Sequence, residues 1–176
     1  MPQIPDENSL LFYHGWISQQ CEFARIAFEE LDKKIGVSDR EVLLAFAIIN
    51  SAANLSKMFS ASGESHAPKD YRGARIKLLR ELYDITDDNP ILKRRLRDDV
   101  EHFDDRIDQW TSQHESDSAE IWKFQGLRYE SGDVMIFQDH IVQLGDLKLP
   151  ISKIFERAKK LSYDATQKAL KGDASL

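Results

Sequence analysis

Apolar residues recur every three or four positions along most of this chain, which is the spacing of helices that bury one face. A first helix is predicted from about Ser9 to Ile35, followed by Gly36, a residue that suits the position after a helix. Gly15 lowers helix stability locally by roughly 1 kcal/mol relative to alanine, which leaves open a bent or separate first turn. Three aromatic residues in those turns indicate packing or an interface: Phe12, Tyr13 and Trp16.

A second helix is predicted from a capping box, Ser38 to Glu41, through to Phe59. It is apolar on nearly all sides, which predicts a central, enclosed helix. Asn50, Ser51 and Asn54 are therefore expected to be buried with hydrogen-bond partners. Bonds to backbone are the simpler expectation for each of them, whereas the functional interpretation is that one orients a histidine on a facing helix.

A third helix is predicted from about Tyr71 to Ile85. Its apolar stripe comprises Ile76, Leu79, Leu82 and Tyr83. Its basic face comprises Arg72, Arg75, Lys77 and Arg80. That face is a candidate RNA-contact surface, and ordinary solvation explains it equally well.

The clearest pattern predicts one amphipathic helix from Asn89 to Trp110, because Asn89 suits the N-cap and Pro90 the first helical position. Its apolar stripe comprises Leu92, Leu96, Val100, Phe103, Ile107 and Trp110. Cations precede anions on the polar face, an order that the helix dipole disfavours. The cations of the first turns, which suit a local phosphate site and RNA contact, are Lys93, Arg94, Arg95 and Arg97.

Arg97 and His102 are the candidate catalytic pair. Histidine can transfer a proton near neutral pH, and an arginine that holds phosphate beside it would suffice for metal-free attack of an RNA 2′-hydroxyl on the adjacent phosphorus. Asp98 and Asp105 lie one turn from His102 and can tune it, while Glu101 can pair with Arg97. On an ideal helix the pair is about 140° apart, so convergence needs a bend, the reach of arginine or a two-fold dimer.

The C-terminal third changes character after a polar stretch at 111–120. Asp133–Leu149 is predicted to form a small β-hairpin, with Gly145 at a bulge or bend. Pro150 is predicted to start a final helix. The stripe of that helix comprises Ile151, Ile154, Phe155, Ala158 and Leu161.

Composition predicts a single folded domain over residues 1–176, with the bundle at about 9–112 and the hairpin and last helix at about 120–171. A net charge of −6 argues against broad nucleic-acid binding but leaves a local site open. The single cysteine, Cys21, excludes an internal disulfide. With no secretory or membrane-length apolar run recognised in the sequence, a cytoplasmic protein without a membrane partner is expected.

The run from Arg97 to His102, RDDVEH, resembles the R-polar-x-x-x-H motif of the HEPN superfamily, helical-bundle proteins that include many metal-independent RNases of toxin–antitoxin and defence systems. The longer run LRDDVEHFDDRIDQW, with NSAANLSK at 50–57, is similar to a group of bacterial proteins carrying that motif. The resemblance implies phosphate contact by Arg97, proton transfer by His102 and support from the residue after the arginine. That residue is Asp98, where the family commonly has asparagine.

The resulting expectation is a mainly α, HEPN-like antiparallel bundle with a C-terminal hairpin and helix, forming a homodimer. The leading function is a metal-independent endoribonuclease using Arg97 and His102, with Asn50 and Asn54 in support, and with a protein antitoxin or regulator as a further partner. The alternative is a non-catalytic interaction or RNA-binding protein. No cofactor is expected. A metal site is not expected either, because a diiron bundle needs two copies of a Glu-x-x-His motif and the sequence has no second copy of such a motif.

Overall fold

The computed structural model describes residues 5–32, 39–61, 68–93, 127–130, 134–137 and 140–173, together with Asp108 and Ser112, which are both helical. This part of the chain is mainly helical. Its four long helices are α1 (Glu7–Leu31), α2 (Asp39–Phe59), α3 (Lys69–Tyr83) and α4 (Gly145–Asp173).

Helix α1 is the central element, and it packs chiefly against α2 on one side and α4 on the other. Both neighbours run antiparallel to it. Near its C-terminal end, Arg40 Nη2 lies 2.7 Å from Glu30 Oε2, and Lys148 Nζ lies 2.6 Å from Asp32 Oδ2. The core lies between these helices and is closed by residues of α3; its largest fully buried side chains include Ile17, Ile48, Leu55, Phe59, Leu79, Ile151 and Ile154.

The ends of α1 differ from the prediction. Asp6 caps the helix, because its carboxylate accepts a 2.7 Å hydrogen bond from the Ser9 amide. The helix ends at Leu31, where the Asp32 amide donates to the Phe28 carbonyl, and the residues predicted to extend it, 33–36, lie outside the described residues. It continues unbroken through Gly15, so the first turn is not separate.

Helix α2 corrects two expectations. Its outer side is open to solvent, since Leu43 and Asn50 are exposed. Arg40–Phe59 is also long and apolar enough to cross a membrane, which the sequence had not been expected to contain. Half of that stretch is buried within the protein, and the core helix of a soluble protein has the same length and composition.

Helix α3 buries Ile76, Leu79 and Tyr83 of the predicted stripe. It ends at Tyr83, two residues before the predicted end, because Asp84 adopts the left-handed conformation with φ 55° and ψ 48°. The Ile85 amide then donates back to the Arg80 carbonyl at 2.9 Å, which closes the helix end.

The helix predicted to run unbroken from Asn89 is interrupted. Asn89 and Pro90 do start a helix, and the Asn89 side chain accepts from the Ile91 amide at 3.1 Å. However, Pro90–Leu92 is a short 3₁₀ helix, and Lys93 leaves it with ψ 107°. The reason is burial: Ile91, not Leu92, is fully enclosed where this turn packs against α2 and α4.

Three short antiparallel strands precede α4, in the order β1 (Leu127–Glu130), β2 (Val134–Phe137), β3 (His140–Gln143). Leu127 pairs with Phe137, and Phe137 pairs with His140. The segment predicted to remain extended to Leu149 instead becomes helical at Gly145, so the predicted bulge at Gly145 is wrong.

The early start of α4 follows from the spacing of its apolar residues. Leu144, Leu147, Ile151 and Ile154 are separated by three or four positions, and all are buried. Pro150 therefore lies inside the helix, near its N-terminus, where it removes one intrahelical hydrogen bond. Burial of this stripe outweighs that loss. The predicted stripe from Ile151 through Ala158 is confirmed.

Candidate functional site

The predicted catalytic residues Arg97 and His102 lie outside the described residues, as do Asp98, Glu101, Asp105, Arg94 and Arg95. Lys93 is the described member of the cationic run. Its Nζ lies 3.7 Å from Asp146 Oδ2, and both side chains are more than half exposed. Such an exposed pair is weak, so Lys93 can still contact an anion.

The two asparagines predicted to support the site lie one turn apart on α2. Asn50 is exposed, so its predicted burial is wrong, whereas Asn54 is half-buried and donates from Nδ2 to Gln20 Oε1 at 3.1 Å. Ser51 is buried, as predicted. The bond from Asn54 joins α2 to α1, which gives this residue a structural role.

A buried polar pair joins α1 to α3. His14 Nδ1 and the Tyr83 hydroxyl are 2.8 Å apart, and both residues are at least 95% buried. Burial lowers the pKa of His14 and raises the pKa of Tyr83. Both groups are therefore neutral at pH 7. His14 is therefore a packed histidine of the core.

Cys21 is also a packing residue. It is fully buried, and that burial raises the pKa of its thiol to about 12. A thiol with so high a pKa is not an activated nucleophile.

Tyr13, next to His14 in the sequence, has a different environment. Its hydroxyl lies 3.4 Å from the Tyr71 hydroxyl, and the Arg75 guanidinium carbon lies 5.7 Å from the centre of its ring. Arg75 also donates from Nη2 to the Lys57 carbonyl at 3.2 Å. The cluster thus joins α1, α3 and the end of α2 through polar groups that are only half-buried.

A groove of about 990 Å³ runs between α1 and α4. Cys21, Phe28, Ile151 and Phe155 contribute apolar surface to it, and Lys159 Nζ lies 4.1 Å from the centre of the Phe155 ring. The charges around it largely balance: Arg25, for example, pairs with both Glu22 and Glu29. The groove therefore offers apolar contact without a strong preference for the sign of a ligand's charge.

The solvent side of α1 carries a second apolar stripe. We call this stripe, together with Leu43 of α2, the outer face. Its members on α1 are separated by four, seven and three positions, so they lie within about 80° of one another around the helix. Each of the five side chains is 44% to 81% exposed: Phe12, Trp16, Phe23, Ile26 and Leu43.

Leu43 is assigned to the outer face from the register of the two helices, which the ion pair between Arg40 and Glu30 indicates. Leu43 lies one turn beyond Arg40, and Ile26 lies one turn before Glu30 on the antiparallel neighbour. We infer from this register that the two side chains lie near each other on adjacent helices. Sequence reasoning identified the aromatic residues at the start of α1 but missed Phe23, Ile26 and Leu43; a helical projection showing two apolar stripes on α1 would have found the first two.

Within the described ranges, no group of three or more histidine, cysteine, aspartate or glutamate residues is placed to hold a metal ion. No protein-family model, curated protein or solved structure matches the chain. Function is therefore inferred from its own residues.

Proposed function

We propose that the protein acts as an interaction module that forms a homodimer through the outer face. The observation that supports this most directly is the exposure of five large apolar side chains, four of which lie along one side of α1. Exposed apolar patches of several hundred Å² are often functional.

The size of the outer face suits a dimer interface. If a fully exposed large side chain presents roughly 200 Å², these five residues expose roughly 500–600 Å². A standard interface covers about 800 Å² on each partner, and the polar rim supplies the remainder. Gln19 lies within the stripe, and Glu30 and Arg40 lie at its end.

The pattern of the stripe favours a second copy of this chain as the occupant. A two-fold axis near Gln19 would pair α1 with an antiparallel α1. Phe12 would then face the partner's Ile26, and Trp16 would face the partner's Phe23. Aromatic residues in the first half of the helix therefore meet apolar residues in the second half, as an isologous interface requires.

Sedimentation velocity over a range of concentrations tests this proposal. The wild-type protein is expected to sediment as a dimer, and Phe12→Glu and Trp16→Glu are expected to sediment as monomers with unchanged circular dichroism. Leu149→Glu is the matched control, because Leu149 is 63% exposed on α4, away from the outer face. A monomeric wild type, or dissociation by Leu149→Glu alone, would contradict the proposal.

We propose metal-independent RNA cleavage as a second function, with HEPN-like ancestry. The R-x-x-x-x-H spacing of Arg97 and His102 supports it, and a two-fold dimer offers one way for groups about 140° apart on a helix to share a cleft. Lys93, Arg94 and Arg95 would contact the RNA backbone. In this proposal the protein is cytoplasmic, and a protein antitoxin or regulator restrains it.

Cleavage of RNA by the purified protein in the presence of a chelator tests the second function. Arg97→Ala and His102→Ala should both abolish cleavage, and the wild-type products should end in 2′,3′-cyclic phosphate. Lys160→Ala, an exposed substitution on α4, serves as the control. Absence of cleavage by the dimeric wild-type protein would leave only the interaction module.

A further inference from the structure

We propose that Arg75, Tyr13 and Tyr71 form a binding site for a phosphate oxyanion between α1 and α3. This site requires neither the dimer nor the chemistry of Arg97 and His102. It is assigned from a buried Arg75 nitrogen without a hydrogen-bond partner and from the hydroxyls of two neighbouring tyrosines.

The Arg75 guanidinium is held in place but incompletely bonded. Nη2 donates to the Lys57 carbonyl, and the guanidinium lies against the Tyr13 ring. Nε is buried without a hydrogen-bond partner in the described part of the chain. A buried donor without an acceptor is unfavourable, and an oxygen of a bound anion would satisfy it. Arginine nitrogens in this fork match the oxygens of phosphate.

The two tyrosines supply a further donor. Their hydroxyl oxygens are 3.4 Å apart, at the long limit for a hydrogen bond. Burial and the neighbouring Tyr71 hydroxyl raise the pKa of Tyr13, so its phenol keeps its proton at neutral pH. When one hydroxyl donates to the other, the second hydroxyl still has its own proton to donate to an anion.

Local charge favours an anion at this end of α3. The first turn of the helix contains Lys69 and Asp70, Arg72 follows Tyr71, and Lys57 belongs to the last turn of α2. Among these described residues cations therefore outnumber acids, although the whole chain has a net charge of −6.

Binding of three probes tests the site: inorganic phosphate, adenosine monophosphate and a hexanucleotide RNA. Affinity is measured by calorimetry and by the rise in unfolding temperature that ligand binding produces. Arg75→Lys keeps the charge but loses Nε, and Tyr71→Phe keeps the ring but loses the hydroxyl. We expect Arg75→Lys to weaken binding at least tenfold and Tyr71→Phe severalfold, with the exposed α4 variant Lys160→Ala unchanged.

The probes distinguish the sources of the phosphate group. Binding of the RNA with the same losses in both variants supports a phosphodiester ligand, whereas binding of phosphate or the mononucleotide alone supports a small ligand. Circular dichroism and ligand-free unfolding temperatures show whether each variant is folded. If Arg75→Lys is not folded, Tyr71→Phe provides the test. Failure of all three probes to bind, or equal binding by a folded variant and the wild type, overturns the proposal.

Discussion

Both faces of α1 carry apolar side chains, but the inner face is buried in the core and the outer face is exposed to solvent. The inner face places Ile17, Cys21 and Ala24 in the core, fully buried, while the outer face leaves Phe12 81% exposed. An ordinary surface helix has one apolar stripe and one polar face. The second stripe on α1 is exposed to solvent, which is why we assign it to association.

The largest expected effect comes from comparing one isoleucine on each face. Ile17→Ala should lower the free energy of unfolding by about 2–5 kcal/mol, because Ile17 is fully buried and its truncation leaves a cavity. Ile26→Ala, made in the monomeric Trp16→Glu protein, should change it by less than about 0.5 kcal/mol. Urea denaturation measures both, and similar losses would show that the outer face is part of the monomer's core.

The inner face should also make stability depend on pH. Burial lowers the pKa of His14 in the folded protein, whereas the unfolded chain titrates near 6.5. Below about pH 6.5 the unfolded state therefore binds more protons, and stability falls as the pH drops towards the lowered pKa of His14. Well above pH 6.5 both states are neutral at this histidine, and its contribution to the pH dependence disappears.

Urea denaturation between pH 7.5 and 5.5 checks this dependence. His14→Phe removes the titrating group, so its stability should fall less steeply with decreasing pH than that of the wild type. Parallel pH profiles for the two proteins would contradict the assignment of His14 as a buried neutral base.

The smallest expected effect tests the edge of the outer face. Gly15→Ala should raise the free energy of unfolding by roughly 0.5–1 kcal/mol, because alanine favours helix and an added methyl group meets nothing within 4 Å. Gly73→Ala, in the same open surroundings on α3, is the matched comparison. Destabilisation at Gly15 alone, seen by thermal unfolding, would indicate a close contact at that position.

Local periodicity was sufficient to predict much of the helical fold. The buried residues of α3 and α4 follow it, since both helices pack a regular stripe against the core. It failed where tertiary contacts decide the conformation: Ile91 is buried in place of Leu92, and helix α4 begins before Pro150.

The candidate sites were less accessible to sequence reasoning. Arg75 belonged to the predicted basic face, but its contact with Tyr13 joins residues far apart in the chain. A sequence does not give such distances. The exposure of Asn50 likewise depends on how α2 packs, and it contradicts the enclosed helix that composition predicted.

The most direct test of the outer face as a dimer interface is disulfide cross-linking through Gln19→Cys. A two-fold axis near Gln19 would bring the two introduced thiols close enough to bond, while Cys21 is buried and unreactive. Mild oxidation should give a covalent dimer on a non-reducing gel, and the exposed control Lys77→Cys should remain a monomer. A Gln19→Cys protein that remains monomeric would contradict this interface.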